Sequence, residues 1–190
     1  MTKQQKIFYG SSYDRGLELL LRMWPKIKET CPKATLDICY GWDLFTKFYK
    51  DNPERMAWKS KMDDMMSYDG ITNHGRVGQT ELKKIRKSCG VWAYPTHFTE
   101  INCITALEAQ SDGLVPVVIN LAALDETVGS GVKINGDIYL KPVREEYLKQ
   151  LLLVMNNESL WESESKKAIE FSKSYSWNLI AAQWIQNLSK

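Results

Sequence analysis

The strongest chemical signal in the sequence is a pair of acids eight positions apart, Glu100 and Glu108, within the stretch Tyr94–Pro116, YPTHFTEINCITALEAQSDGLVP. The apolar spacing after Glu100 predicts a helix over 101–111, with Glu100 just ahead of it and Glu108 partly buried inside it between Leu107 and Ala109. At about 1.5 Å of rise per residue, Glu108 then lies roughly 9 to 12 Å along the axis from the helix start. The free amides of Ile101, Asn102, Cys103 and Ile104, at the positive end of the helix dipole, suit phosphate oxygens. A carboxylate further along suits vicinal ribose hydroxyls, from which it accepts two hydrogen bonds. This spacing fits a bound nucleoside diphosphate. It also fits a helix-start acid followed by a surface carboxylate, and spacing alone leaves both readings open.

Several other chemistries lack their residues. No G-x-G-x-x-G follows the first apolar run, and neither a G-x-x-x-x-G-K-[ST] loop nor a G-x-S-x-G elbow occurs. No Asp-x-Asp is present to hold a divalent ion on a nucleotide diphosphate, so a site without metal or resident cofactor is expected. Cys31, Cys39, Cys89 and Cys103 form no C-x-x-C pair and read as reduced, partly buried thiols; with only His74 and His97 beside them, no structural zinc site is expected. Both histidines follow apolar runs and read as loop residues, and Met62, Met65 and Met66 read as packing.

The elements that must position the acids follow from pattern and length. With 190 residues, 44% of them hydrophobic and 25% charged, the chain reads as one domain, 1–190, with a sizeable core. A net charge of +2 is too small a field to recruit nucleic acid. No apolar stretch approaches the roughly 20 residues of a membrane span and no apolar signal core opens the chain, so a soluble cytoplasmic protein without a transmembrane segment is expected. Strands are predicted at Lys6–Tyr9, Thr35–Tyr40, Ile71–His74, Val91–Tyr94, Val115–Asn120 and Gly131–Ile134. Between them fall a helix beginning after an Asp14 cap and kinked or shortened by Pro25, a helical region Asp43–Met66 broken near Asn52-Pro53, and helices at Glu81–Ser88 and Ile101–Ser111. After Val143 the chain is all helix, at Glu145–Met155, Glu158–Lys173 and Trp177–Leu188. This alternation predicts an α/β fold with a doubly wound parallel sheet, Rossmann-like, whose ligands bind beyond the carboxyl ends of the strands. The loops Gly10–Gly16, Gly41–Leu44, His74–Gln79, Pro95–Asn102 and Leu121–Glu126 are therefore the place to look for a site.

The acidic stretch resembles the Glu-x7-Glu motif of retaining glycosyltransferases of the GT-B fold, above all glycosyltransferase family 4. That pattern runs Pro-Ser-x-x-Glu, seven residues, Glu-Ala, then Gly-x-Pro-Val; here stand Pro95-Thr96-His97-Phe98-Thr99-Glu100, Glu108-Ala109 and Gly113-Leu114-Val115-Pro116-Val117. Asp14-Arg15-Gly16 resembles the family's Lys-Gly, His74-Gly75-Arg76-Val77 its Gly-x-Val turn, Asp125-Glu126 its later acidic position and Ser176-Trp177 its C-terminal helix. The resemblance covers nearly the whole chain. It implies a single GT-B C-terminal domain with extra C-terminal helices, which binds a nucleoside diphosphate sugar and belongs to a retaining, metal-independent enzyme. By the same resemblance Glu100 lies against the donor sugar and is the catalytic candidate, and Glu108 holds the ribose. Arg15, Ser11, Ser12 and the amides of Ile101 to Ile104 meet the diphosphate, and Arg76 and Val77 lie near the base. Acceptor groups come from an N-terminal domain absent from the chain, so the isolated chain is expected to be inactive, and the intact enzyme is expected to be cytoplasmic or peripheral at a membrane. Two departures stand out. Ile101-Asn102-Cys103 replaces the family's glycines, and Gly10-Ser11 replaces its Gly-Arg, which leaves Arg15 as the single cation. A non-catalytic nucleotide-sugar or carbohydrate module and a nucleotide-sugar 2-epimerase are the alternatives on the same fold.

Overall fold

The computed structural model describes residues 2–189. Its strands are β1 (Lys6–Tyr9), β2 (Thr35–Ile38), β3 (Ile71–Asn73), β4 (Val91–Tyr94), β5 (Val115–Ile119) and β6 (Val132–Ile134). The helices are α1 (Leu17–Thr30), α2 (Asp43–Tyr49), α3 (Pro53–Met66), α4 (Gln79–Ser88), α5 (Ile104–Ser111), α6 (Leu124–Thr127), α7 (Lys141–Asn156), α8 (Glu158–Ser172) and α9 (Trp177–Leu188). All strand pairs are parallel and the sheet order is β3-β2-β1-β4-β5-β6, so the winding reverses between β1 and β4. This is the doubly wound Rossmann-like fold expected from the alternation of elements.

Central and edge strands differ as burial requires. In β4 and β5 every residue is buried, as is all of β1 beyond Lys6, because helices cover both faces of a parallel sheet. Edge strand β3 has no buried residue. Met62, Met65 and Met66 are buried on α3, and all four cysteines are free and buried. Among the described residues no helix is long and apolar enough to cross a membrane. On α9 no residue is buried, and Trp177, Trp184, Ile185 and Leu188 face outward.

Several boundaries depart from expectation. Helix α1 runs unbroken through Pro25, whose ring sits on the exposed face of the helix and whose missing N–H removes the usual helical donor to the Leu21 carbonyl. Gly16, not Asp14, caps that helix; its φ is +108°, and Leu19 and Leu20 donate to its carbonyl. A Cβ on Gly16 would lie 2.3 Å from the Pro95 carbonyl oxygen, so only glycine lets the loop after β1 pack against the loop after β4. Asn52 caps α3 through its side chain, which explains the break before Pro53. Helix α7 begins at Lys141, a turn earlier than expected, with Pro142 in its first turn, and the short helix α6 overlaps the end of the Leu121–Glu126 stretch expected as loop.

Glu18, in the first turn of α1, ties that helix to α3. Burial alone would raise its pKa, but hydrogen bonds from Lys61, Trp58 and Arg22 outweigh it and bring the carboxyl from 4.5 down to about 2. A depressed folded-state pKa means stability that is fully present above the unfolded value and lost as pH falls through the folded one. The stability difference between the native chain and a Glu18→Gln variant is therefore expected to be constant above pH 5 and to shrink between about pH 4.5 and pH 2. Urea melts across that window check it; a difference independent of pH would remove Glu18 as the tie.

Candidate functional site

Where the sheet reverses, the loops leaving β1 and β4 part and leave a crevice of about 220 Å³ beyond the carboxyl ends of the strands. Ser11, Ser12 and Arg15 line one side, and Asn102, Cys103 and Ile104 line the other. Glu100 lies between them, only 9% exposed. Its Oε1 accepts from the Tyr94 hydroxyl at 2.6 Å and from Arg15 Nη1 at 3.2 Å, and the same Nη1 lies 3.4 Å from Oε2. Ser11 Oγ lies 3.2 Å from the Tyr94 hydroxyl, and the Arg15 guanidinium rests 3.8 Å over the Phe98 ring. Thr105, in the first turn of α5, donates to the Gly10 carbonyl at 3.2 Å and so joins that helix to the β1 loop.

The electrostatics favour charged oxygens that accept and hydroxyls that donate. Burial, then the Glu100 carboxylate it faces, pushes the Tyr94 hydroxyl above the usual phenol range, so it stays protonated and holds Glu100 in place. Burial pushes the Cys103 thiol up to about 11, which rules out a thiolate nucleophile there at neutral pH. Trp92 also lines the crevice, stacked on Tyr94 with ring centroids 5.1 Å apart, and its buried Nε1 has no partner among the described residues.

The second acid is placed differently. Glu108 lies one turn beyond Ile104 on the same side of α5, outside the lining of the crevice, and its Oε2 accepts from Arg86 Nη1 at 2.7 Å. Arg86 Nε donates to Asp112 Oδ2 at 2.7 Å. The helix itself starts at Ile104, not Ile101: Cys103 occupies the cap position, and Ile101 is 97% exposed and outside the lining. This corrects the expected helix start: Ile101 and Asn102 precede the helix, and of the two only Asn102 lines the crevice. Burying Glu100 against Tyr94 and Arg15 turns the chain away for three residues before helix can begin, so the first-turn amides belong to Ile104 onward.

Arg76 is exposed and Val77 half-buried, and neither lines the crevice. Their loop is joined to the β2 loop, since Tyr40 N–H donates to Gly75 O at 2.9 Å, and Tyr40 itself reaches the crevice. His74 pairs with Asp37 at 2.7 Å. His97 faces a larger groove of about 760 Å³ on the other side of the Gly10–Gly16 loop, where its Nδ1 lies 3.1 Å from the Tyr139 hydroxyl; neither acid lines that groove. Among the described residues no group of three or more His, Cys, Asp or Glu side chains is placed to hold a metal ion. Sequence reading missed Tyr94, Trp92, Tyr40 and Thr105. The only signal for the first two was their i, i+2 spacing on β4 just ahead of the loop, which reads equally well as core.

The family model described as glycosyl transferases, group 1, matches residues 2–174. The chain belongs to that family. Solved structures similar to this group 1 chain include a GtfA/B complex, with a TM-score of 0.79 at 14% identity over 98% of this chain and 36% of that one. The pneumococcal O-GlcNAc transferase GtfA, in complex with UDP and GlcNAc, gives 0.76 at 13% identity over 98% and 36%. Sucrose-phosphate synthase (tll1590) from Thermosynechococcus elongatus gives 0.76 at 18% identity over 97% and 44%. At such identities the likeness shows the fold, that of a GT-B C-terminal domain. The group 1 chain thus spans between about a third and just under half of these structures' own length. No curated protein sequence matches it significantly.

Proposed function

We propose that the chain is the donor-binding domain of a retaining, metal-independent glycosyltransferase of family 4 type, which moves a hexose-type sugar from a nucleoside diphosphate sugar to an acceptor held by a second domain outside the chain. The observation that carries the reading is Glu100: a buried carboxylate, fixed by Tyr94 and Arg15, at the one point where the sheet reverses. Glu100 accepts from hydroxyls of the donor sugar. Arg15 and the first-turn amides of α5 face the diphosphate, whose negative charge grows as it leaves, so their fixed dipoles stabilise the transition state more than the ground state. Glu108 accepts from the ribose hydroxyls, and the loops carrying Tyr40, Arg76 and Val77 flank the base. A second domain closing over the crevice would exclude water from the reacting sugar.

Thermal-shift titration with UDP, GDP and ADP and their sugars tests the reading. One nucleotide series is expected to raise the melting temperature, equally in Mg²⁺ and in EDTA, because no Asp-x-Asp is present to need the ion. A shift seen only with Mg²⁺ would overturn metal independence, and no shift with any of the three would overturn donor binding.

A further inference from the structure

We infer that Arg86 is a positioning residue for the nucleotide: it holds Glu108 in the one orientation that receives the two ribose hydroxyls. The inference rests on the proposed role of Glu108 and deepens it. Arg86 lies near the end of α4 and is only 5% exposed. A guanidinium so deeply buried must have a carboxylate partner, and Asp112 supplies it: the Asp112 side chain is 4% exposed and bonded to Nε at 2.7 Å. That pair is already neutral and already ties α4 to the end of α5. Glu108 is therefore not needed to compensate the buried charge. It is the surplus acid of the triad, 39% exposed, and the cluster carries one net negative charge at its outer edge.

Arg86 nevertheless directs its second prong outward, from Nη1 to Glu108 Oε2 at 2.7 Å. Among the described residues no donor reaches the other oxygen, Oε1. A free glutamate on a helix samples many rotamers, and ordering it when a ligand arrives subtracts from affinity. The planar fork of an arginine anchored at Nε by a buried aspartate removes most of that freedom beforehand, which a lysine's single ammonium cannot do. The result is a carboxylate of fixed direction with acceptor capacity left over, on the same side of α5 as the crevice-lining Ile104 and Thr105.

The test compares each nucleoside diphosphate with its 2′,3′-dideoxy counterpart by calorimetric titration of the chain, using uridine, guanosine and adenosine diphosphates and keeping the series that binds most tightly. Wild type is expected to favour the ribonucleotide by about tenfold or more. In Arg86→Gln that preference is expected to fall to about threefold or less, while affinity for the dideoxy analogue stays near the wild-type value. Arg86→Lys keeps the buried charge for Asp112 and is expected to retain only part of the preference; it carries the test if the glutamine variant does not fold by circular dichroism. An unchanged preference in the folded variant, or an equal loss for both nucleotides, overturns the positioning role. A wild type that does not distinguish the two nucleotides overturns the ribose role of Glu108 itself, and the inference with it.

Discussion

Glu108→Gln is expected to weaken binding of the nucleoside diphosphate by about 10- to 150-fold, on the order of 1.5–3 kcal/mol, because it keeps shape and volume but removes the charge from two hydrogen bonds to the ribose. Stability is expected to fall by less than about 1 kcal/mol, since Glu108 is partly exposed and Arg86 keeps Asp112 as its buried partner. Glu100→Gln separates the two acids. It is expected to leave affinity for the bare diphosphate within about threefold of wild type and to show its loss only when the intact nucleotide sugar is titrated. Calorimetry on both variants with both ligands decides. Unchanged binding in Glu108→Gln would sink the ribose assignment, and a Glu100→Gln loss that is equal with and without the sugar would sink the division of roles.

Gly16→Ala is expected to cost about 3 kcal/mol of stability, from the strain of a side chain at positive φ together with the overlap of its Cβ and the Pro95 carbonyl. Gly75 supplies the control. Its φ is +62° and a Cβ there would meet nothing within 4 Å, so Gly75→Ala is expected to show the conformational part alone, about 1 kcal/mol. Urea denaturation of the two variants isolates the close approach of the β1 and β4 loops; equal losses would mean that the contact carries no energy.

The order of strands and helices was legible because parallel strands buried on both faces read as apolar runs, as Val115–Ile119 does, and because Gly, Pro and Asn mark their ends. The path after Glu100 was not. Helical spacing begins at Ile101, but the ion pair of buried Glu100 with half-buried Arg15 overrides it, and no local pattern announces a contact made across 85 residues. The partner of Glu108 was hidden for the same reason: Arg86 looks like an ordinary charge in the last turn of α4, where a cation suits the helix dipole. Asp14 had the residue type of a cap and the wrong geometry, since the approach of Pro95 decides where α1 begins. Tyr94 and Trp92 pass for core until the topology puts β4 beside β1.

That adjacency also governs how the chain acquires its site. Strand β1 meets β2 after a short excursion, whereas its other neighbour, β4, pairs Val91 with Ile7 only after three strands and four helices have been synthesised. Contacts between such distant segments bear a large loop-closure entropy and form slowly. Until they form, one edge of β1 is open to pairing with another chain, a hazard for any slow-folding parallel sheet. The seam between the paired strands farthest apart in sequence is the one that brings Arg15 to Glu100. A nucleotide gripping both sides of it would therefore act as a folding ligand, stabilising the joined halves over every state in which they are still apart.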